Sequence, residues 1–298
     1  MFVVRQTTHT MRRGVDTMDH FQSSLDGKVG ILTGGTSGFG FEIKRALLAR
    51  GANVAVFSVD ELTDEATAAI LAEARGTVRY EKMDILQPRS AEKMVQRTLD
   101  WFGKVDFVIA NAGFAIRFEE PLLEMPVEKI AEAMRTQFEV FPIAFATLAL
   151  EAAKVMAPIY KKIEPDEMGH RPDSGAIVVT LSEAALCPLR DDLLAYAAAK
   201  HASFSVMRSL AATLGPMNIR VNGIAPGFAN TAGPRKFYDR FPQIKADIEA
   251  RCHLKPSFIH PGAVVPAVLY LLTDNYVTGE AIALDGGFNI QMTSYFQG

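Results

Sequence analysis

Cysteine is scarce: Cys187 and Cys252 are the only two in 298 residues, and no Cys-x-x-Cys pair occurs. Two thiols cannot build a disulfide framework, which points to a reducing, cytoplasmic setting. An excess of basic charge is lacking too. The 31 Lys and Arg stand against 34 Asp and Glu, a formal net charge of −3, so there is no electrostatic footprint for nucleic acid. No stretch reaches the roughly 18 uninterrupted apolar residues that a bilayer span needs. The most apolar runs, 140–150 and 263–272, are shorter and each contains proline. Neither a membrane partner nor a nucleic-acid partner is expected, and no metal site is read from the sequence.

What is present is an ordinary globular composition, 49% hydrophobic and 22% charged. From Lys28 onward, short apolar runs alternate with helical patterns. Strand-like runs fall at 28–35, 52–58, 78–85, 105–113, 175–182, 219–227 and 280–287. Between them, helical spacing covers 39–50, 64–75, 90–102, 127–160, 193–214, 242–252 and 261–273, with Gly51 as a C-cap and Ser90 as an N-cap. Continuous apolar strands alternating with helices predict a mainly parallel sheet covered by helices on both faces, a single doubly wound Rossmann domain of the α/β class. Its expected limits are 25–290. Residues 1–24, with Arg5, Arg12 and Arg13 ahead of the first acid Asp16, read as a disordered extension, and 291–298 as a tail. The polar, proline-bearing segment 157–174 reads as an insertion remote from chemistry.

The first strand runs into Thr33-Gly-Gly-Thr-Ser-Gly-Phe-Gly40. Gly34, Gly38 and Gly40, with Thr36, Ser37 and Phe39 between them, stand at a strand-to-helix turn, where a backbone must bend tightly and approach a pyrophosphate. The helix N-terminus beyond offers free N–H groups and partial positive charge to phosphate. At the end of the second strand, Ser58 is followed by Asp60 and Glu61. Acids there accept a ribose 2′-hydroxyl and repel a 2′-phosphate, so NAD is read in preference to NADP.

Further pieces follow in order: Met-Asp-Ile at 83–85, Asn-Ala-Gly at 111–113, Ser182 at a strand end, Tyr196 and Lys200, then Arg-Val-Asn-Gly-Ile-Ala-Pro-Gly ending at 227, Thr231 and a closing Asp-Gly-Gly. Together with the glycine loop, this series resembles the short-chain dehydrogenase/reductase family over about residues 25–290. The resemblance implies that the glycine loop holds the pyrophosphate. It places Asp84 and Ile85 at the adenine and Asn111, Ala112 and Gly113 along the adenosine ribose side. Pro226, Gly227, Phe228 and Thr231 would frame the nicotinamide. Ser182, Tyr196 and Lys200 become the catalytic trio, with Tyr196 and Lys200 also contacting the cofactor.

Elementary chemistry agrees with those roles. Reducing a ketone needs a hydride donor and a proton for the developing alkoxide. A free tyrosine, with a pKa of about 10, is poorly matched to neutral pH. An ammonium one helical turn away stabilises the phenolate, and four residues advance a helix only about 6 Å. Ser182 would orient the substrate oxygen. Where the family carries a relay asparagine, this chain has Gln137, a candidate member of the proton path on a longer stem.

The resulting expectation is an oxidoreductase moving a hydride between a nicotinamide dinucleotide and a small alcohol or ketone, such as a polyol, sugar or sugar acid. Arg117, Arg190, Arg235, Lys236 and Arg240 are bases that can reach the pocket mouth or its lid. Two alternatives use the same scaffold: a dehydratase or epimerase, and a non-catalytic dinucleotide-binding protein. Residues Val140 to Leu150 carry no charge, so the helix there needs a partner on its second face, and a homodimer or homotetramer is expected.

Overall fold

The computed structural model describes residues 25–61, 74–160 and 174–290, together with 162, 164, 165 and 167. The extension 1–24, the tail 291–298 and most of the helix expected over 64–75 lie outside the described residues. Seven strands form one sheet: β1 Val29–Thr33, β2 Asn53–Ser58, β3 Val78–Lys82, β4 Phe107–Ala110, β5 Gly175–Thr180, β6 Ile219–Pro226 and β7 Ala281–Leu284. Their order is β3-β2-β1-β4-β5-β6-β7, and every pairing is parallel. The order reverses between β1 and β4, and ligands of such sheets bind at that switch point, beyond the carboxyl ends of the strands.

The apolar strand sequences follow from burial on both faces. Neighbouring residues point to opposite sides. Ile31, Val108 and Ile177 enter one core, with Met94, Met156 and Leu210 from helices. Leu32, Ile109 and Val178 enter the other, with Ile43, Leu47 and Val268. The first face is covered by α2 (Ser90–Phe102), α4 (Ala144–Tyr160) and α5 (Leu194–Leu214), and the second by α1 (Gly38–Ala49) and α8 (Val265–Thr273). Helix α1 ends as expected, with Gly51 left-handed at φ +85°.

Ser90 is not the N-cap of α2. That place belongs to Arg89, which is left-handed at φ 59°. The tight turn before it swings the Ser90 hydroxyl back to donate to the Ile85 carbonyl at 2.7 Å, so Ser90 becomes the first helical residue.

The helical region expected at 127–160 is one continuous rod in three parts. Helix α3 (Val127–Phe138) runs into a π turn at Glu139–Ile143 and then into α4. Pro142 sits in the π turn, where its missing N–H accounts for the broken helical ladder. By length and composition Val127–Ile159 could cross a membrane, but half of its most apolar window is buried inside this molecule. Beyond β6, α6 (Ala232–Arg240) and α7 (Pro242–Arg251) form a small lid around Phe228, Tyr238, Ile248, Cys252 and Phe288.

Candidate active site

The turn after β1 brings the glycines to the switch point. Gly34 is left-handed at φ +70°, and a Cβ there would lie 2.9 Å from the Cα of Ala112. A Cβ on Gly40 would strike the Gly34 carbonyl and the Asn111 amide. Only bare backbone fits at these two positions, which leaves the surface open to a close-lying ligand. Ser37 precedes α1 in extended conformation and caps no N–H with its side chain, so the first-turn N–H groups can take a pyrophosphate. Asn111 ties the neighbouring strands together: its Nδ2 donates to the Thr33 and Gly34 carbonyls at 3.2 and 3.1 Å, and its Oδ1 accepts from Thr180 Oγ1 at 3.1 Å.

Where the resemblance expects the adenosine, Thr36 and Ser58 share a hydroxyl–hydroxyl bond of 3.0 Å. Asp60 is exposed, and its carbonyl accepts from Tyr80 at 2.6 Å. Asp84 accepts from the Leu86 N–H at 2.9 Å and so shapes the turn after β3. The parallel register sets Lys82 beside Ser58, and Lys82 pairs with Glu61 at 3.2 Å. Sequence reading finds no base near this corner, because cross-strand register is not visible in the chain.

Where the resemblance expects the nicotinamide, Pro226 ends β6 and the Gly227 N–H donates to the Leu284 carbonyl at 3.0 Å. A Cβ on Gly227 would lie 2.8 Å from the Asp285 Cα. Thr231 starts α6, with its methyl against the turn at Gly38. The Phe228 side chain packs inside the lid. It is buried edge-on to Phe288, at 5.0 Å between centroids, within the lid core, so its side chain serves the lid.

Ser182, Tyr196 and Lys200 gather beyond the carboxyl end of β5. Ser182 caps a short 3-10 turn, accepting the Ala184 N–H at 3.2 Å and donating to Glu183 Oε2 at 2.8 Å. Tyr196 and Lys200 share one face of α5. Lys200 is 4% exposed; its Nζ donates to the Thr180 carbonyl at 2.8 Å and lies 3.7 Å from the centre of the Phe141 ring. Phe141, supplied by the π turn, also meets Tyr196 edge-on at 5.4 Å.

Burial governs the electrostatics. It pushes Glu183 up to about 7, against hydrogen bonds from Ser182 and its own backbone. It lowers Lys200 to about 7, with Glu183 opposing. The Tyr196 phenol is raised by burial and by Glu183, while a hydrogen bond with Ser182 and the charge of Arg117 pull it down. The protein's own groups therefore keep the Tyr196 phenol neutral. The ammonium effect expected from Lys200 does not outweigh burial, because Nζ is directed at Thr180 and Phe141.

Gln137 is fully buried on α3. Its Oε1 accepts from Ile116 N at 3.3 Å and its Nε2 donates to the Phe114 carbonyl at 3.0 Å. Both ends of the amide hold the loop after β4. That loop carries Arg117, which stacks on Phe237 at 4.1 Å and pairs with Asp192 at 2.8 Å; Arg190 reaches the same carboxylate at 3.1 Å. Arg235 bonds Asn230, and Arg240 pairs with Glu119 of the loop after β4. His201 is exposed and bonded to the Ala197 carbonyl. Sequence reasoning missed Glu183 and Phe141. An acid inside the apolar run Ile177–Leu186 was the available signal for Glu183; for Phe141 there was none.

A doubly wound sheet with a glycine turn at its switch point and three polar side chains converging beyond β5 places the molecule among the Rossmann-fold proteins. Residues 34–289 match the family described as Enoyl-(Acyl carrier protein) reductase. The 2,5-dichloro-2,5-cyclohexadiene-1,4-diol dehydrogenase of Sphingobium indicum is 32% identical over 270 residues, covering 89% of this chain and 98% of that protein. A 7α-hydroxysteroid dehydrogenase solved with NADH and 7-oxo glycochenodeoxycholic acid is similar at TM-score 0.74 and 26% identity, covering 92% of this chain and 98% of that one. A Beutenbergia cavernae structure with NADP at low occupancy, proposed as a gluconate 5-dehydrogenase, is similar at TM-score 0.74 and 25% identity, covering 89% and 98%. This chain belongs to the short-chain dehydrogenase/reductase family.

Proposed function

We propose that the protein is a nicotinamide-dependent oxidoreductase that interconverts a secondary alcohol and a ketone. The observation that carries this reading is the convergence of Ser182, Tyr196 and Lys200 beyond β5, next to a glycine-walled helix N-terminus. A bound nicotinamide dinucleotide would supply or accept the hydride. Gly34, Gly38 and Gly40 would receive its pyrophosphate, and Gly227 and Thr231 its nicotinamide end. Tyr196 gives the proton to the developing alkoxide in reduction and takes it back in oxidation, a step worth about 10²–10⁴-fold. Ser182 donates to the same oxygen and fixes its position. Lys200 holds the cofactor-side hydroxyls and lends positive charge when protonated. Gln137 steadies the loop that borders the pocket.

Asp60 and Glu61 favour NAD over NADP. Lys82, held by Glu61, leaves that corner without a net positive charge. The substrate class we infer is a ring diol, polyol, sugar or sugar acid. In support, two arginines share one aspartate at the pocket mouth, and similar proteins are described as acting on a chlorinated cyclohexadiene diol or proposed to act on gluconate. The enzyme would work in the cytoplasm as a homodimer or homotetramer. A panel of sugar acids, polyols and cyclic ketones, followed at the nicotinamide absorbance with each cofactor, tests the reading. It predicts turnover of a member of this class and faster rates with NAD(H). Strong preference for NADPH would reverse the cofactor assignment, and no turnover across the panel would overturn the substrate class.

A further inference from the structure

We propose that the Glu183 carboxyl is the proton-holding partner of Ser182 and sets the direction in which the serine hydroxyl donates. This rests on the oxidoreductase reading above. Ser182 has one proton to give. Its oxygen already accepts from the Ala184 N–H, and it lies 2.8 Å from Glu183 Oε2. An ionised carboxylate can only accept, so it takes the serine proton and leaves none for a substrate oxygen. A carboxylic acid can donate its own proton to Ser182 Oγ, and the serine proton is then released toward the substrate oxygen and Tyr196 beside it.

The surroundings make this choice matter. Glu183 is 3% exposed, so water does not complete its hydrogen bonds. The charged and titratable groups that face it come from several elements. Ser182 and Cys187 lie on its own turn, and Tyr196 and Lys200 on α5. Arg117 comes from the loop after β4, Tyr238 from α6, Cys252 from the end of α7, and Asp285 from the turn after β7. Burial favours the acid most, helped by Asp285; the hydrogen bonds from Ser182 and the Glu183 backbone, and then Arg117, favour the carboxylate. The balance falls at about 7, so the donor direction changes within the neutral range. The acid form prevails below that pH and the carboxylate above it. Because Ser182 bonds most strongly to a developing alkoxide, the effect belongs in kcat more than in KM. Glu183 is thus a positioning residue that acts through Ser182.

Two measurements on the full-length protein with NADH bound test this. The first is pH-difference infrared spectroscopy, which needs no turnover and so stands apart from the fate of the oxidoreductase reading. The wild type should lose a protonated-carboxyl band between about pH 6 and about pH 8. The band should be absent in Glu183→Gln and shifted in frequency in Ser182→Ala. A wild type without that band, or a band unmoved by Ser182→Ala, overturns the proposal. The second is the pH profile of ketone reduction, with cyclohexanone as the reporting ketone. The wild-type kcat should fall by on the order of 100-fold as Glu183 ionises. Glu183→Gln, whose amide donates at every pH, should flatten that limb; an identical limb in both proteins overturns the proposal.

Discussion

At the residue scale, the alanines that flank Tyr196 and Lys200 matter as much as the two polar groups. Ala195 and Ala199 are fully buried, the first among Phe118, Met125 and Ala133 and the second against Val140 and Phe141, so α5 lies close to α3 and the π turn and delivers Tyr196 and Lys200 to one face. As a candidate site that pair was legible in the sequence only through its order after the glycine loop and Ser182, since helical spacing alone fixes which side chains share a face and no more. Glu183 was not, because adjacency to Ser182 says nothing about burial, and burial is what changes its chemistry. Gln137 was legible as a position but not as a partner. It binds the backbone at Phe114 and Ile116, a contact between a helix and a loop that no spacing rule reports. Gln137→Ala leaves those two backbone groups unpaired, so it should cost about 1–3 kcal/mol in denaturant unfolding. Turnover at the full wild-type rate in that variant would remove Gln137 from the proton path and leave it a strut for the loop.

At the scale of elements, the strands were the most readable part. Each of the seven strand-like runs became a strand of the sheet; in the inner strands burial on both faces demands continuous apolar sequence, whereas the edge strands β3 and β7 are only partly buried. The helix boundaries were harder. The π turn at 139–143 and the cap at Arg89 depend on local backbone geometry, which residue type foreshadowed only at Pro142. Helix α4 shows a division of labour. Phe145, Leu148, Ala152 and Met156 enter the core, while Ile143 in the turn before it and Leu150 on the helix remain exposed at 44% each. Ile143 and Leu150, with Thr147 exposed between them, are where the proposed homo-oligomer would pack. Light scattering at micromolar concentration should report a dimer or tetramer. A monomer under those conditions would contradict this use of the helix, and charged substitutions at Ile143 and Leu150 should dissociate the assembly.

At the scale of the whole molecule, topology unites pieces that lie far apart in the chain. The reversal of strand order between β1 and β4 opens the crevice. Strand β5 then carries Ser182 to its edge, and β6 hands the chain to a lid whose aromatic core stacks on Arg117 through Phe237. This convergence explains why single motifs say little and their order says much: the sheet turns sequence order into spatial order. The central claim is that Tyr196 is the proton donor of a nicotinamide-dependent reduction, and Tyr196→Phe tests it most directly. The variant should bind NADH with wild-type affinity by fluorescence titration while its ketone reduction falls by at least about 100-fold. Wild-type turnover in Tyr196→Phe, with binding intact, would contradict the account.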